Sequence, residues 1–414
     1  MKSYTSKTER KNRKYMKLKK YIALFLALLM VMTALLGCAA KGKTLIEIEK
    51  EKITVNTFYL FLSRMKGYLS TASAYGENAS SDSFWDTVMN TDGTTYDAFY
   101  TDKILQNVKT YAAALYLFRE RGLKLPQETV KAIDDELQEI IDNEWGGSKS
   151  EFNAKLSQYG ANYDVLREAK IIEAKIEYLR ADLFGTDGSQ IGAQLKEDYY
   201  QQNYRRFKHL FFYTYHFVTE TDKDGTEKIV TDANGNAKTE PMTEKEIQLV
   251  IDRVSEAYGK ATVEGSPSFL EAWKDGKTAF GDAGKFDALL TEKDTNNKPM
   301  YNEDKGMELY PNGIYLQADS NYDFAEVRDA VFAMNVGEVH VIRSEHGFHV
   351  VMRYENNAGA YADTANKDCF VGFVNELEDK LLTDYLRPYL DLVVVDEKAY
   401  KGISIKDVEP NLHY

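Results

Sequence analysis

Two short stretches decide how this chain reads: Asp329-Ala330-Val331-Phe332-Ala333-Met334-Asn335-Val336-Gly337-Glu338-Val339, and just beyond it Gly347-Phe348-His349-Val350-Val351-Met352-Arg353. The first opens on a short helix, Phe324 to Met334, with apolar residues at helical spacing. Asn335-Val336-Gly337 is a turn signal that ends it. The second stretch is a β-branched and aromatic run, the composition of a strand. About 140 residues upstream lies a matching run, Phe207-Lys208-His209-Leu210-Phe211-Phe212-Tyr213. A β–insert–α–loops–α–β order spanning 207 to 353 predicts a small α+β domain built on a sheet.

The insert after the first strand, 214–242, carries two turn signals, Asp224-Gly225 and Asn234-Gly235, and reads as an exposed hairpin. Behind it Thr243-x-x-Glu246 is a capping box, and Ile247, Val250, Ile251, Val254 and Tyr258 form one apolar helix face. Residues 275–322 are rich in Gly, Asp and Asn and predict loops.

Lys208-His209-Leu210, the Ala330-to-Val339 stretch and Gly347-Phe348-His349-Val350-Val351 together resemble three landmarks of parvulin-type peptidyl-prolyl isomerase domains, in the family's order. The resemblance implies that His209 and His349 face each other on neighbouring central strands behind a proline pocket, as the catalytic pair. It implies Phe324, Phe332 and Met334 as substrate-binding residues. The pocket also departs from the family. Val327 and Asp323 stand where an aromatic and an apolar residue belong, and the Gly-Gly-Asp-Leu-Gly loop is missing. Asp282 and Asp275 are the only candidates for the acid or thiol that faces the histidines. The strength of any isomerase activity is therefore left open.

Upstream, residues 43–203 read as almost wholly helical. Leu45–Ile48 and Lys52–Val55 alternate like a short hairpin before an apolar helix near Phe58. Ile104, Leu105, Val108, Ala112, Leu115 and Phe118 repeat at helical spacing up to Gly122; Pro126 opens the next helix, with Ile133, Leu137 and Ile141 on one face. Residues 70–100 predict a loop or a locally inserted lid. With Ser150–Leu156, Tyr159-Gly160 and a long helix from about Asp164 to Leu183, the order resembles the N-terminal chaperone domain of SurA and PrsA-type foldases. Residues 363–414 add an amphipathic helix (Phe370, Phe373, Val374, Leu377, Leu381, Tyr385) that Pro388 is expected to end, and a strand at Leu392–Val395. The same resemblance implies that this segment returns to complete the chaperone domain, making it discontinuous.

The N-terminus predicts location. Residues 1–20 hold nine Lys/Arg, and Tyr21–Leu36 is uncharged. Leu35-Leu36-Gly37-Cys38 then completes the layout of a secretory signal. That tetrapeptide resembles the lipobox of bacterial lipoproteins, which implies cleavage before Cys38 and lipidation of its sulfur. Cleavage takes the formal charge from −13 to −21, against general nucleic-acid binding, which needs a basic face. Two cysteines in 414 residues make neither a disulfide framework nor a four-cysteine zinc site. The second, Cys369, reads as a small core residue.

The reading is thus α+β: a signal peptide (1–37), a helical SurA-N-like domain (38–203), a parvulin-like domain with insertions (204–356), and a returning C-terminal helix and strand (357–414). The expected function is a membrane-anchored extracytoplasmic foldase that binds unfolded secreted chains and isomerises X–Pro bonds without metal or cofactor. The alternative is a holdase chaperone with a degenerate, inactive isomerase module. A solute-binding lipoprotein would need repeated βαβ units that the helical half does not supply. His340, His346 and His349 could suggest a metal site, but strand alternation sends 346 and 349 to opposite sides. The oligomeric state stays open, a homodimer included.

Overall fold

A computed structural model describes residues 42–72, 79, 81–303 and 306–414. The signal segment and Cys38 lie outside the described residues. The chain divides into two compact units: residues up to Gln190 with Glu378–Tyr414, and Ile191–Leu377.

The first unit starts with β1 (Thr44–Ile48) and β2 (Glu51–Thr54), an antiparallel pair, and is otherwise helical: α1 (Val55–Thr71), α2 (Tyr96–Glu120), α3 (Gln127–Glu144), α4 (Lys149–Leu156) and α5 (Tyr163–Phe184). Each start follows from a local signal. Thr54, Thr95 and Asn162 accept amide hydrogens at the first turns of α1, α2 and α5. Gly122, at φ 69°, ends α2 in the left-handed conformation that costs glycine least. The apolar faces of these helices meet in one core in which Phe58, Leu62, Val108, Ala112, Leu137, Phe152 and Leu166 have no exposed surface. Each large side chain so buried contributes ~1.5–3 kcal/mol.

The region expected to be a loop or lid is in part a packed structure. Asp82–Trp85 forms a helical turn, Val88 bridges to Thr95, and α2 begins at Tyr96. Trp85 is fully buried and its indole N–H donates to the Ala79 carbonyl at 3.0 Å. Aromatic anchors in a polar stretch outweigh its loop-like composition.

The second unit is an α+β domain. Helix α6 (Ala193–Asn203) leads directly into β3 (Tyr204–Tyr213). The insert forms two short antiparallel ladders, 215–217 with 239–241 and 219–221 with 227–229, with most residues exposed. Then come α7 (Glu244–Ala261), α8 (Phe269–Lys274), β4 (Ala279–Phe280), α9 (Ala283–Thr291), β5 (Ile314–Gln317), α10 (Ala325–Ala333), β6 (Glu338–Arg343) and β7 (Gly347–Tyr354). The five-stranded sheet runs β4-β6-β7-β3-β5, every neighbouring pair antiparallel. Alternation gives it two faces. Leu210, Phe212, Phe348, Val350 and Met352 pack against Val250, Val254, Phe269 and Phe286 of α7, α8 and α9. Phe207 and Val351, on the opposite face, pack against Val327 and Val331 of α10.

The 275–322 stretch is more structured than its composition predicts. It contributes both sheet edges and α9, which is capped by the Asp282 side chain. These elements are short, and their pairing partners lie far away in sequence. β6 also extends to Arg343, beyond the Glu338-Val339 legible in the motif.

Helix α11 (Phe373–Leu390) and β8 (Val394–Val395) end the chain. Pro388 does not stop α11, which continues to Leu390. A proline in the last turn removes a single rung rather than splitting a helix. Phe373 packs with Tyr204 and Phe370 of the second unit, and the unit boundary falls after Leu377. β8 pairs antiparallel with β1. Further on, Ile405 and Val408 are buried, and the Asn411 amide donates to the Ser63 carbonyl at 2.9 Å. Cys369 is half-buried rather than a core residue, and its thiol is pushed up by that burial.

Gly67 in α1 makes the tail's seat visible. A Cβ there would stand 2.2 Å from the Asn411 carbonyl oxygen. Gly→Ala inside a helix ordinarily stabilises by about 1 kcal/mol. Here Gly67→Ala should lower the thermal midpoint, and removing residues 409–414 should restore the ordinary sign. Stabilisation by Gly67→Ala in the full chain would show that the tail does not occupy this seat.

Candidate functional site

The sheet places His209 and His349 on one face. In the β3–β7 ladder His209 lies opposite Val351 and His349 opposite Phe211, so the histidines are diagonal neighbours on adjacent strands. Diagonal positions are roughly 7–8 Å apart at Cα, within reach of two imidazoles. The Nδ1 atoms stand 3.2 Å apart, and the rings are nearly parallel, 8° between planes with centroids at 5.4 Å. Neither residue has exposed surface.

Ser344, in the turn between β6 and β7 and itself buried, holds the other end of His349: Oγ to Nε2 is 2.9 Å. A hydrogen bond between two Nδ1 atoms requires one protonated and one bare nitrogen. The two tautomers are therefore coupled. When Ser344 donates to Nε2 of His349, the His349 Nδ1–H donates to His209. In the reverse state His209 donates to His349, whose Nε2–H donates to Ser344 Oγ, and the serine hydroxyl can turn to the Gly347 carbonyl at 3.4 Å. Each arrangement is neutral and holds the same number of protons; passing from one to the other requires that His209 Nε2 release a proton and Ser344 regain one.

Aromatic rings enclose the pair. Phe211 stacks on His349 at 4.4 Å, and Phe207 meets His209 edge-on at 6.0 Å. Phe324, the residue just before α10, packs edge-on against His349 at 4.6 Å and reaches Phe211 at 5.1 Å and Tyr322 at 5.7 Å. Phe324 is only partly buried, as are Tyr322 and His346 beside it. His346 lies on another side of Phe324, at 5.9 Å.

Of the three residues read as substrate-binding, Phe324 is brought onto the histidine rings. Phe332 lies beneath the Arg205 guanidinium, 5.3 Å from centroid to Cζ, and Met334 is buried in the cluster under α10. Neither is in ring contact with the histidines, and Phe332 is only partly buried. Asp282 caps α9 and Asp275 ends α8, with the helices that cover the other face of the sheet. Sequence reasoning missed Ser344. The available signal was a hydroxyl residue in the tight turn ahead of Gly347-Phe348-His349. It also passed over Phe207 and Phe211, although period-two alternation with His209 puts all three on one face. Among the described residues no group of three or more His, Cys, Asp and Glu could hold a metal ion.

Ser344→Ala should leave Nε2 of the buried His349 without its partner, at a cost of ~1–3 kcal/mol. Urea unfolding followed by tyrosine fluorescence reads that loss. An unchanged midpoint would mean that the serine is not bonded to the ring.

No family model matches the chain, and no curated protein matches it significantly. Among solved structures it is similar to the peptidylprolyl isomerase PrsA of Bacillus cereus, at 14% identity over 77% of this chain and 96% of that one, with a TM-score of 0.24. It is similar to the foldase PrsA of Streptococcus pneumoniae at 12% identity over 87% and 98%, TM-score 0.21. A structure of SurA-like chaperones of Campylobacter jejuni matches at 15% identity over 74% and 94%, TM-score 0.18. The chain is thus similar to PrsA-type foldases and to SurA-like chaperones.

Proposed function

We propose that this protein is an extracytoplasmic, membrane-anchored foldase that isomerises X–Pro bonds at the His209–His349 pair. In this reading the helical first unit, a discontinuous SurA-N-like domain completed by the C-terminal segment, holds unfolded secreted chains. The observation that carries the reading is the pair itself: two fully buried imidazoles with Nδ1 atoms 3.2 Å apart under a partly exposed phenylalanine.

The chemistry asks for little more. Rotation about an X–Pro bond meets a barrier of about 18–20 kcal/mol that comes from amide resonance. A site lowers it by favouring the twisted amide, in which the nitrogen is pyramidal and the carbonyl is less polarised. An aromatic ring such as Phe324 offers the pyrrolidine an apolar seat that sheds water. The coupled histidines present a neutral network behind that seat, whose fixed dipoles face the twisting amide without reorganising. No bond to the protein forms at any point.

Proline-peptide exchange and aggregation of a denatured client, measured on the same preparation, test the reading. The expected outcome is accelerated cis–trans exchange, with His209→Ala and His349→Ala each lowering kcat/KM roughly 10-fold or more, the effect of ~1.4 kcal/mol of lost transition-state stabilisation. Suppression of aggregation should survive both substitutions. Absence of any acceleration by the unaltered protein, with suppression intact, would leave a holdase and remove the isomerase.

The anchor is proposed from Leu35-Leu36-Gly37-Cys38. Cys38→Ala should release the folded units from the membrane fraction. A variant that stays membrane-bound with an intact N-terminus would show that Tyr21–Leu36 itself is the anchor.

A further inference from the structure

The second unit buries one arginine and half-buries another, and neither has a carboxylate partner among the described residues. Arg353, at the end of β7, is 6% exposed, yet it forms no ion pair among the described residues. Its Nη1 is taken up by the carbonyls of Arg206 and Tyr354 and by Asn356 Oδ1, while its buried Nε has no partner. Arg206, on β3, likewise has no carboxylate partner among the described residues. Its Nη1 donates to Asn357 Oδ1 at 2.7 Å and to the Glu355 carbonyl at 3.2 Å, and its guanidinium lies over the Tyr354 and Tyr315 rings at 5.2 and 6.0 Å.

The chain has a formal charge of −13. Arg64, Arg119, Arg121, Arg167, Arg180 and Arg253 each have an acidic partner, whereas Arg205, Arg343, Arg206 and Arg353 have carbonyl, amide or hydroxyl acceptors instead. A buried guanidinium without a counter-charge is strongly disfavoured. Burial, with Arg205 and Arg206 nearby, pulls the Arg353 guanidinium down to about 10. Glu197, on the helix that carries Tyr200, is engaged by the Gly359 amide and by Gln201. Arg206 and Arg353 both line a surface cavity of 640 Å³, together with Gly337, Asn356 and Asn357. Glu355 also lines it but is exposed and pairs with neither arginine.

We infer that Arg206 and Arg353 form a binding site in this cavity for a small oxyanion, a carboxylate or a phosphate, at the end of β7. A guanidinium edge is the donor that such an anion accepts from. An anion there would supply the missing counter-charge. The site is built of residues separate from His209 and His349, so it stands or falls independently of the isomerase reading.

Titration calorimetry of the full chain with inorganic phosphate and, separately, with succinate tests this, each against sodium chloride at equal ionic strength. The expected result is saturable binding of one of the two, which also identifies the anion, with no response to chloride. Arg206→Gln should weaken it at least ~10-fold, the scale of a lost charge-assisted hydrogen bond. Arg206→Lys keeps the positive charge and removes the planar fork, so it should weaken binding severalfold even if the glutamine variant folds poorly. Failure of both anions to saturate, or binding unchanged in folded Arg206→Lys and Arg206→Gln proteins, would overturn the site.

Discussion

The antiparallel ladder between Tyr204–Tyr213 and Gly347–Tyr354 is the constraint on which the second unit depends. Its register, with His209 opposite Val351 and His349 opposite Phe211, sets the two imidazoles diagonally on one face. A slip by one residue would turn one histidine to the other face and expose a core position in its place. The ladder's end shows how closely the strands approach. A Cβ at Gly347 would lie 2.0 Å from the Phe212 carbonyl oxygen, so only glycine lets the strand begin there. The same alternation that aims the histidines sends Phe212 and Val350 into the opposite core. Site and stability share one backbone arrangement.

The tautomer coupling follows from that arrangement rather than from any unusual residue. Burial removes water from both rings, so each nitrogen must find its partner within the protein. Ser344 answers one end of His349 and His209 the other. Aromatic neighbours contribute area without competing for protons, which keeps the network's hydrogen bonds directed along one line. Partial exposure of Phe324, beside complete burial of the histidines, separates a contact surface from the polar network behind it.

The first unit is organised by a different constraint. Its two-stranded hairpin offers an open edge at β1, and Val394–Val395 covers it. An uncovered edge presents unpaired amides and carbonyls to other chains. The tail then runs on to Asn411, over the one glycine in α1 where the backbone can come so close. Residues more than 300 positions apart thus close a sheet and fill a groove. The cost of ordering so distant a segment is modest, because loop-closure entropy grows only slowly with length.

Much of this organisation is legible in the amino-acid order alone. Helical spacing of Val108, Ala112 and Leu115, the capping box at Thr243 and Glu246, and the strand character of Phe207–Tyr213 depend on neighbours within a few residues, where local rules hold. The two histidines could be singled out because each sits in a short motif that resembles a landmark of a known family. The packed turn around Trp85, the edge strands at 279–280 and 314–317, and the role of Ser344 could not, since each is decided by a partner remote in sequence. Phe332 and Met334 look alike as site residues in the sequence, yet only Met334 is buried, because the exposure of residues on a short helix depends on what its other side covers. The buried, unpaired Arg353 is the extreme case: its neighbours Asn356 and Tyr354 are visible in the sequence, but the absence of a counter-charge is a property of the whole surrounding volume. By itself the sequence determined the long helices, the central strands and the α+β division, because periodicity and short motifs are local. Register, burial and the hydrogen-bond partners of polar groups were decided only by the tertiary structure, because they arise where distant segments compete for the same space.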